Sequence, residues 1–355
     1  MAKQIIISKD SDQTVHIEGD HTDLLIEKGI SVAVADGFGI HNAKCDHAHM
    51  TIDGHVSVVS DLNYAGISTY GTSDFIEIGA DGSVKGPSAI QLHGKDESVV
   101  NRGTVNGSDY GVRGDDGGYY VANLGRITST QGYAVALGGG DDTVVNRGVI
   151  NGTLETGDGA DHIDLRHGTV NGGVMGDDGD DVYVIGKDSF ASLYDSGGHD
   201  TIMTSLSYTD EPSEGIEDFI ATGHRNIDLK GGTGNNALAG NDGDNRLSGG
   251  AGEDSIGGDK GRDILTGGAD ADTFYFYKGD GADRITDFDT TGIDHDVIDF
   301  AKFGHLSFDD LMSKVDSHDG NTVFHFGHGD RLVVEGVMPD EIAKEDVQVN
   351  GVGFL

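Results

Sequence analysis

Tryptophan is absent from this chain, cysteine occurs once, and proline occurs three times in 355 residues. The lone Cys45 excludes an internal disulfide framework. With aromatics at 7%, any core must be built from Val, Ile, Leu and Ala. Basic residues are scarce: Lys and Arg number 23 against 62 Asp and Glu, a formal net charge of -39. Such a surface repels nucleic-acid phosphates and anionic membranes, so neither nucleic-acid binding nor membrane insertion is expected. It favours divalent counterions, because crowded carboxylates repel until something neutralises them. The apolar runs are too short to cross a bilayer. The opening "MAKQIIISKDSDQTVHIEG" has neither an apolar h-region nor a cleavage site, which alone reads as cytosolic.

Glycine is abundant instead, at 59 residues, which means either disorder or many tight turns. Register decides between them. Residues 231–275 divide into five nine-residue units, GGTGNNALA, GNDGDNRLS, GGAGEDSIG, GDKGRDILT and GGADADTFY. The eighth position is always apolar: Leu238, Leu247, Ile256, Leu265 and Phe274. The sixth is Asn236, Asn245, Asp254, Asp263 and Asp272; the first is glycine, including Gly249, Gly258 and Gly267. The fourth is glycine until Asp270 replaces it in the last unit. A disordered linker has no reason to keep this register; a solenoid must.

These units resemble the glycine-aspartate nonapeptide, GGxGxDxUx, of the RTX calcium-binding proteins. Six residues then form a turn and three a short strand, so two units complete one coil of a parallel β-roll. Asn236, Asp254 and Asp272 fall on one edge, Asn245 and Asp263 on the other. Calcium takes six to eight oxygens, which turn carbonyls (Gly249, Gly258, Gly267) and acids (the sixth positions, with Asp270) can supply. Without the ion, aspartates stacked about 4.8 Å apart repel strongly. The resemblance extends over about residues 176–355. The segment 196–241 is similar to the connector that precedes such arrays. "GDGADRITDFDTTGIDHDVIDF" (279–300) is similar to their closing segment, which implies that Asp283 and Asp287 complete the last calcium site.

A second repeat lies upstream. Gly54, Gly82, Gly103, Gly125, Gly148 and Gly168 are each followed two residues later by an aliphatic, and Asn101, Asn123 and Asn146 stand two before a glycine. Their spacing of 20–23 residues fits one coil of a three-sided parallel β-helix. The pattern resembles autotransporter passenger helices and some polysaccharide-active β-helices over about residues 50–185. An ordinary β-sandwich would lack the repeated asparagine and glycine. Calcium-type turns are interleaved: Asp142, Asp161 and Asp181 occupy sixth-position slots, and Asp200 marks a degenerate one.

The fold expected is all-β: a right-handed parallel β-helix over 1–186, a connector and calcium-binding β-roll over 187–300, and a small α+β cap over 301–355. The cap is read as a helix from Ser307 to Asp316 with a capping box, strands at "NTVFHF" and "DRLVVEGV", and a helix opened by Pro339. In RTX proteins such a tail carries an uncleaved type I secretion signal, and Phe354-Leu355 fits its apolar end. The resemblance thus replaces the cytosolic reading with a secreted one, extracellular or at the cell surface.

No enzymatic motif in the chain is complete. There is no HExxH and no GK[ST]. The nearest approach to GxSxG, Gly86-Pro87-Ser88-Ala89-Ile90, breaks at its last position. Asp242, Asp244 and Glu253 have EF-hand spacing, but Leu247 takes the place of the required glycine. In "HNAKCDHAHM", His41, Cys45, His47 and His49 alternate as on one strand face, which would suit a zinc site or a Cys-His pair; a plain outward strand face is the favoured reading. Tyr110, Tyr119, Tyr120 and Tyr133 could stack on sugars, although packing on one another is the simpler account. The function expected is a calcium-binding secreted protein, non-enzymatic, serving as a surface, matrix, adhesion or self-assembling component. Its partners would be calcium, further copies joined through β-helix ends, or an extracellular polysaccharide. The alternative is a polysaccharide lyase or epimerase carrying an RTX module.

Overall fold

The computed structural model describes residues 3–60, 64–187, 189–209, 215–292, 295–304 and 306–349. The C-terminal Phe354-Leu355 lies outside them. Two compact units divide the chain, Met1–Gly198 and His199–Leu355. Both are built from coils of short parallel strands, a β-solenoid with little helix.

In the first unit, strands Phe75–Ile78, Ser98–Asn101, Tyr120–Asn123 and Thr143–Asn146 pair parallel and unshifted on one face. Their alternate residues point inward, so Ile76, Val99, Val121 and Val144 form one fully buried aliphatic column. The glycine-plus-two aliphatics form another. Val56, Val84, Val105, Ile127, Ile150 and Val170 pair coil to coil in that order, each almost fully buried. Coil length is not constant. Leu24 pairs with Met50, 26 residues on, whereas Val144 pairs with Ile163, 19 residues on. The difference is taken up in turns and in bulges at Gly86/Ser88, Gly107/Val112 and Thr128/Tyr133.

The recurrent asparagines close one corner. Asn101 Nδ2 donates to Asn123 Oδ1 at 2.8 Å, and Asn123 Nδ2 to Asn146 Oδ1 at 2.9 Å. Each Nδ2 also donates to a carbonyl of the next coil, those of Arg126, Val149 and Thr169. A neutral amide both donates and accepts, so the buried ladder is satisfied from within.

The second unit is tighter. One face orders strands Thr201–Thr204, Asp218–Ala221, Ala237–Ala239, Ser255–Gly257, Thr273–Tyr275 and Val297–Asp299. The other orders Asp228–Lys230, Arg246–Ala251, Ile264–Ala269, Ala282–Ile285 and Asp330–Val334. Every eighth-position apolar residue of the array is at most 1% exposed, so a core one side chain thick runs between two faces.

The cap departs from the sequence reading in two places. Ser307 forms the expected capping box with Asp310, but the helix is only Phe308–Met312. Val315–His318 is instead a strand, antiparallel to Asn321–Gly327. Between them Asp319 and Gly320 are both left-handed (φ 52 and 83), as a two-residue hairpin turn requires. Among the described residues no helix follows Pro339. Glu341 and Asp346 carboxylates accept the N–H groups of Met338 and Ala343, holding consecutive turns where a helix would otherwise propagate.

The "HNAKCDHAHM" segment is not one strand either. Ile40–Asn42 and His49–Ile52 are separate strands, His47 is left-handed (φ 59), and Cys45 is buried, accepting the Gly19 N–H on Sγ. The four side chains therefore share no face.

Candidate metal sites

Each nonapeptide turn folds its sixth side chain back over its own first residue. A Cβ built on Gly249, Gly258 or Gly267 would lie 2.0, 2.4 or 2.1 Å from Oδ2 of Asp254, Asp263 or Asp272. Glycine is needed there for space. The left-handed turn positions include Gly252 (φ 107) and Gly261 (φ 141); Asp270 takes the equivalent place at φ 76, which aspartate tolerates. It is exposed, and its Oδ2 accepts from Gly252 N–H.

The folded-back carboxylates form ladders. Asn236 N–H donates to Asp254 Oδ1 (2.8 Å), Asp254 N–H to Asp272 Oδ1 (2.9 Å), and Asp272 N–H to Asp296 Oδ1 (2.9 Å). On the other edge Asn245 N–H donates to Asp263 Oδ1 (2.6 Å) and Asp263 N–H to Asp283 Oδ1 (2.9 Å). One oxygen of each repeat aspartate is thus fixed by the neighbouring coil. The second is not: Oδ2 of Asp254, Asp263 and Asp272 is buried with no hydrogen-bond partner among the described residues. Leaving a buried carboxylate oxygen unpaired is costly. Burial, with nearby acids, pushes Asp254 and Asp272 up to about 7. Burial likewise raises Asp263 and Asp283, which face each other.

The array begins differently. Asn236 Oδ1 accepts Gly232 N–H, and its Nδ2 donates to Ile216 O. Asn245 bonds Asn241 through both its oxygen and its nitrogen. These amides are satisfied by protein alone. Asp283 and Asp287, expected together, go to different edges. Asp283 stacks behind Asp263, whereas Asp287 Oδ1 accepts Gly267 N–H at 3.0 Å beside Asp272.

Upstream the same arrangement recurs. Tyr119 N–H donates to Asp142 Oδ1, Asp142 N–H to Asp161 Oδ1 (2.7 Å), and Asp161 N–H to Asp181 Oδ1 (2.8 Å). Oδ2 of Asp142 and of Asp161 is again buried with no hydrogen-bond partner among the described residues. Burial raises these two carboxyls to about 8 and about 6. Asp181 is buried, and the Tyr183 hydroxyl lies 3.5 Å from its Oδ2 while bonding Asp195. In the second unit, Asp200 is buried and its N–H donates to Glu217 Oε2 at 2.8 Å.

Sequence reasoning missed Asp195, Asp280 and Asp296. Asp280 is buried, accepts Tyr277 N–H at 2.6 Å, and is pushed up to about 7 by burial, with Asp259 and Asp330 nearby. For Asp296 the signal was present: it stands two residues before the inward Ile298, as Asp254 stands before Ile256. Stacked turns with one carboxylate oxygen fixed and the other bare offer hard-cation chemistry.

Residues 230–265 and 253–285 match the family described as RTX calcium-binding nonapeptide repeat (4 copies). The chain carries RTX calcium-binding nonapeptide repeats. No curated protein matches it. Among solved structures it is similar to the extracellular lipase LipA from Serratia marcescens, at 16% identity and a TM-score of 0.25. That match covers 72% of this chain and 45% of the lipase, so the RTX-repeat chain spans under half the lipase's length.

Proposed function

We propose that this protein is secreted and folds its second unit on extracellular calcium. The single observation that carries the reading is the set of Oδ2 atoms at Asp254, Asp263 and Asp272, buried and without a hydrogen-bond partner among the described residues, one in each of the last three nonapeptides. Calcium would take these oxygens together with turn carbonyls such as those of Gly249, Gly258 and Gly267. Asp283 and Asp287 would close the two edges, with Asp270 at the turn tip; Asn236 and Asn245 would begin them as neutral ligands or spacers. Asp142, Asp161, Asp181 and Asp200 would serve in the same way outside the array. Extracellular calcium modules work at about 10⁻⁴–10⁻³ M, so such sites stay empty in a cytosol and fill outside it. Far-UV circular dichroism of the full chain in chelator and in millimolar calcium tests the proposal. A large gain of β signal on adding calcium is expected; identical spectra would sink it.

Beyond folding, we favour a non-enzymatic surface or matrix role, with self-assembly as its simplest form. The strand Lys3–Ile7 pairs with Thr22–Ile26 on one side and has no second neighbour among the described strands, and Ile6 is 49% exposed. An open strand edge is a template for another chain. Light scattering with and without calcium is the check: no calcium-dependent growth in mass would remove self-assembly. The polysaccharide reading draws on an open groove of 620 Å³ in the first unit, lined by Lys85, Asn106, Ser108, Thr128 and Thr130 among others. These hydroxyls, amide and single amine suit holding a sugar polymer. Release of unsaturated product from a uronate polymer would show that the groove belongs to a lyase.

A further inference from the structure

Residues 64–97 contain no nonapeptide, yet their turns carry two more buried acids. Asp74 and Glu97 stand two residues before Ile76 and Val99, which pair with each other across adjacent coils. Asp142 and Asp161 stand in the same relation to Val144 and Ile163. The local sequences are Gly71-Thr72-Ser73-Asp74 and Gly94-Lys95-Asp96-Glu97, one residue longer than Gly140-Asp141-Asp142 or Gly159-Ala160-Asp161. The extra residue is absorbed by left-handed backbone at Ser73 (φ 57) and Asp96 (φ 55). Ser73 N–H donates to Lys95 O at 2.7 Å, stacking one turn on the next.

The interior of these turns is crowded with oxygen. Asp74 and Glu97 are 0% and 1% exposed. Asp74 Oδ1 accepts Ala48 N–H at 2.8 Å, and its Oδ2 accepts the Asn42 side-chain amide. Glu97 Oε2 accepts Gly94 N–H at 3.1 Å, but its Oε1 is buried with no hydrogen-bond partner among the described residues. The Thr69 hydroxyl, 3.2 Å from Gln91 O, also faces Glu97 and is a single neutral donor against its buried charge. A Cβ on Gly71 would meet Cys45 O at 1.9 Å and Asp74 Oδ2 at 2.8 Å; one on Gly94 would meet Gly71 O at 1.5 Å and Glu97 Cδ at 3.1 Å. Carbonyl and carboxylate oxygens of successive coils converge where only glycine leaves room. Beyond them the Tyr119 hydroxyl lies 3.2 and 3.1 Å from the carbonyls of Leu92 and Gly94. Burial, with mutual repulsion between the two acids, raises Glu97 to about 8.

We propose that Asp74 and Glu97 hold a divalent cation of the calcium class, in a first-unit site that no nonapeptide encodes. A hard cation takes carboxylate and carbonyl oxygens together, supplies the missing partner of Glu97 Oε1, and cancels two buried charges at once. The site goes beyond the calcium-folded array and stands independently of it.

Calcium bound per chain, measured by elemental analysis of the full protein equilibrated in millimolar calcium, tests the proposal. Glu97→Gln and Asp74→Asn are compared with the parent, each verified as folded by circular dichroism. Each variant is expected to lose one ion, and the double variant the same single ion. Asp254→Asn provides the separation: its loss comes from the array and adds to that of Glu97→Gln. Should Glu97→Gln not fold, Asp74→Asn decides alone, since its amide oxygen still accepts Ala48 N–H. A full ion count in the folded variants would overturn the proposal and assign Glu97 as a protonated acid. Loss with Glu97→Gln but none with Asp254→Asn would leave this site standing while removing the array's.

Discussion

The asparagine ladder of the first unit and the aspartate ladder of the second solve one problem with opposite consequences. Both place a polar side chain at a coil corner and bond it to the next coil. Asn101, Asn123 and Asn146 donate and accept in the same column, so their corner is complete as translated. Asp254, Asp263 and Asp272 can only accept, and each keeps one buried oxygen bare. A solenoid corner is thus either self-sufficient or conditional on an ion, and the difference is a single substitution of NH₂ by O⁻.

Removing calcium breaks this comparison most sharply. In chelator, amide hydrogen exchange is expected to lose protection throughout 231–290 and to keep it across 98–128. Each calcium site filled at 100 times its Kd contributes about 2.7 kcal/mol, so the loss of several sites exceeds what a domain of this size can spare. Equal loss in both regions would mean that the amide ladder is not an independent support.

Asp254→Asn sharpens it next, because its sign should reverse with conditions. In calcium the variant loses a charged ligand and up to about 2.7 kcal/mol of linkage stabilisation. In chelator it should be more stable than the parent, since an amide removes the buried charge and can bond as Asn236 does. The β signal recovered in chelator and the urea midpoint in calcium measure the two effects. Destabilisation in both buffers would show that the carboxylate stabilises the coil without an ion.

Asn123→Ala is the counterpart in the first unit. It leaves Asn146 and Asn101 without their shared partner, costing about 1–3 kcal/mol. The same shift is expected with and without calcium. A calcium-dependent shift would tie the amide corner to the ion-binding turns.

How much of this was legible follows the same division. The array could be read because its ligand position and its core position share a nine-residue period, and Leu238, Ile256 and Phe274 lie where that period puts them. The upstream core was legible through glycine-plus-two, since close backbone approach and an inward aliphatic fall at one corner of every coil. Asp74 and Glu97 escaped because one left-handed residue lengthens their turns, shifting the acid out of the expected slot without moving it in space. The false helix after Pro339 has a local cause: acidic residues in "PDEIAKEDV" read as helix formers but act as turn acceptors. The alternation of His41, Cys45, His47 and His49 suggested a strand; only the turn between Asn42 and His49 shows why they diverge.

Acidity gives the smallest effect and the finest discrimination. Asp254 and Asp272 have folded carboxyls raised to about 7 by burial, against about 3.9 in an unfolded chain. The ion-free fold therefore binds more protons than the unfolded chain between about pH 4 and 7. Its stability is greatest below that window and falls as pH rises through it. In chelator, the far-UV β signal of the second unit should therefore be retained near pH 5 and lost by pH 8. In calcium the trend inverts, because protons and the ion compete for the same Oδ2 atoms and deprotonation favours the ion. The amide corner has nothing to titrate, so protection at Asn101, Asn123 and Asn146 should stay level in both buffers. A falling midpoint in calcium would mean that the ion does not occupy these oxygens.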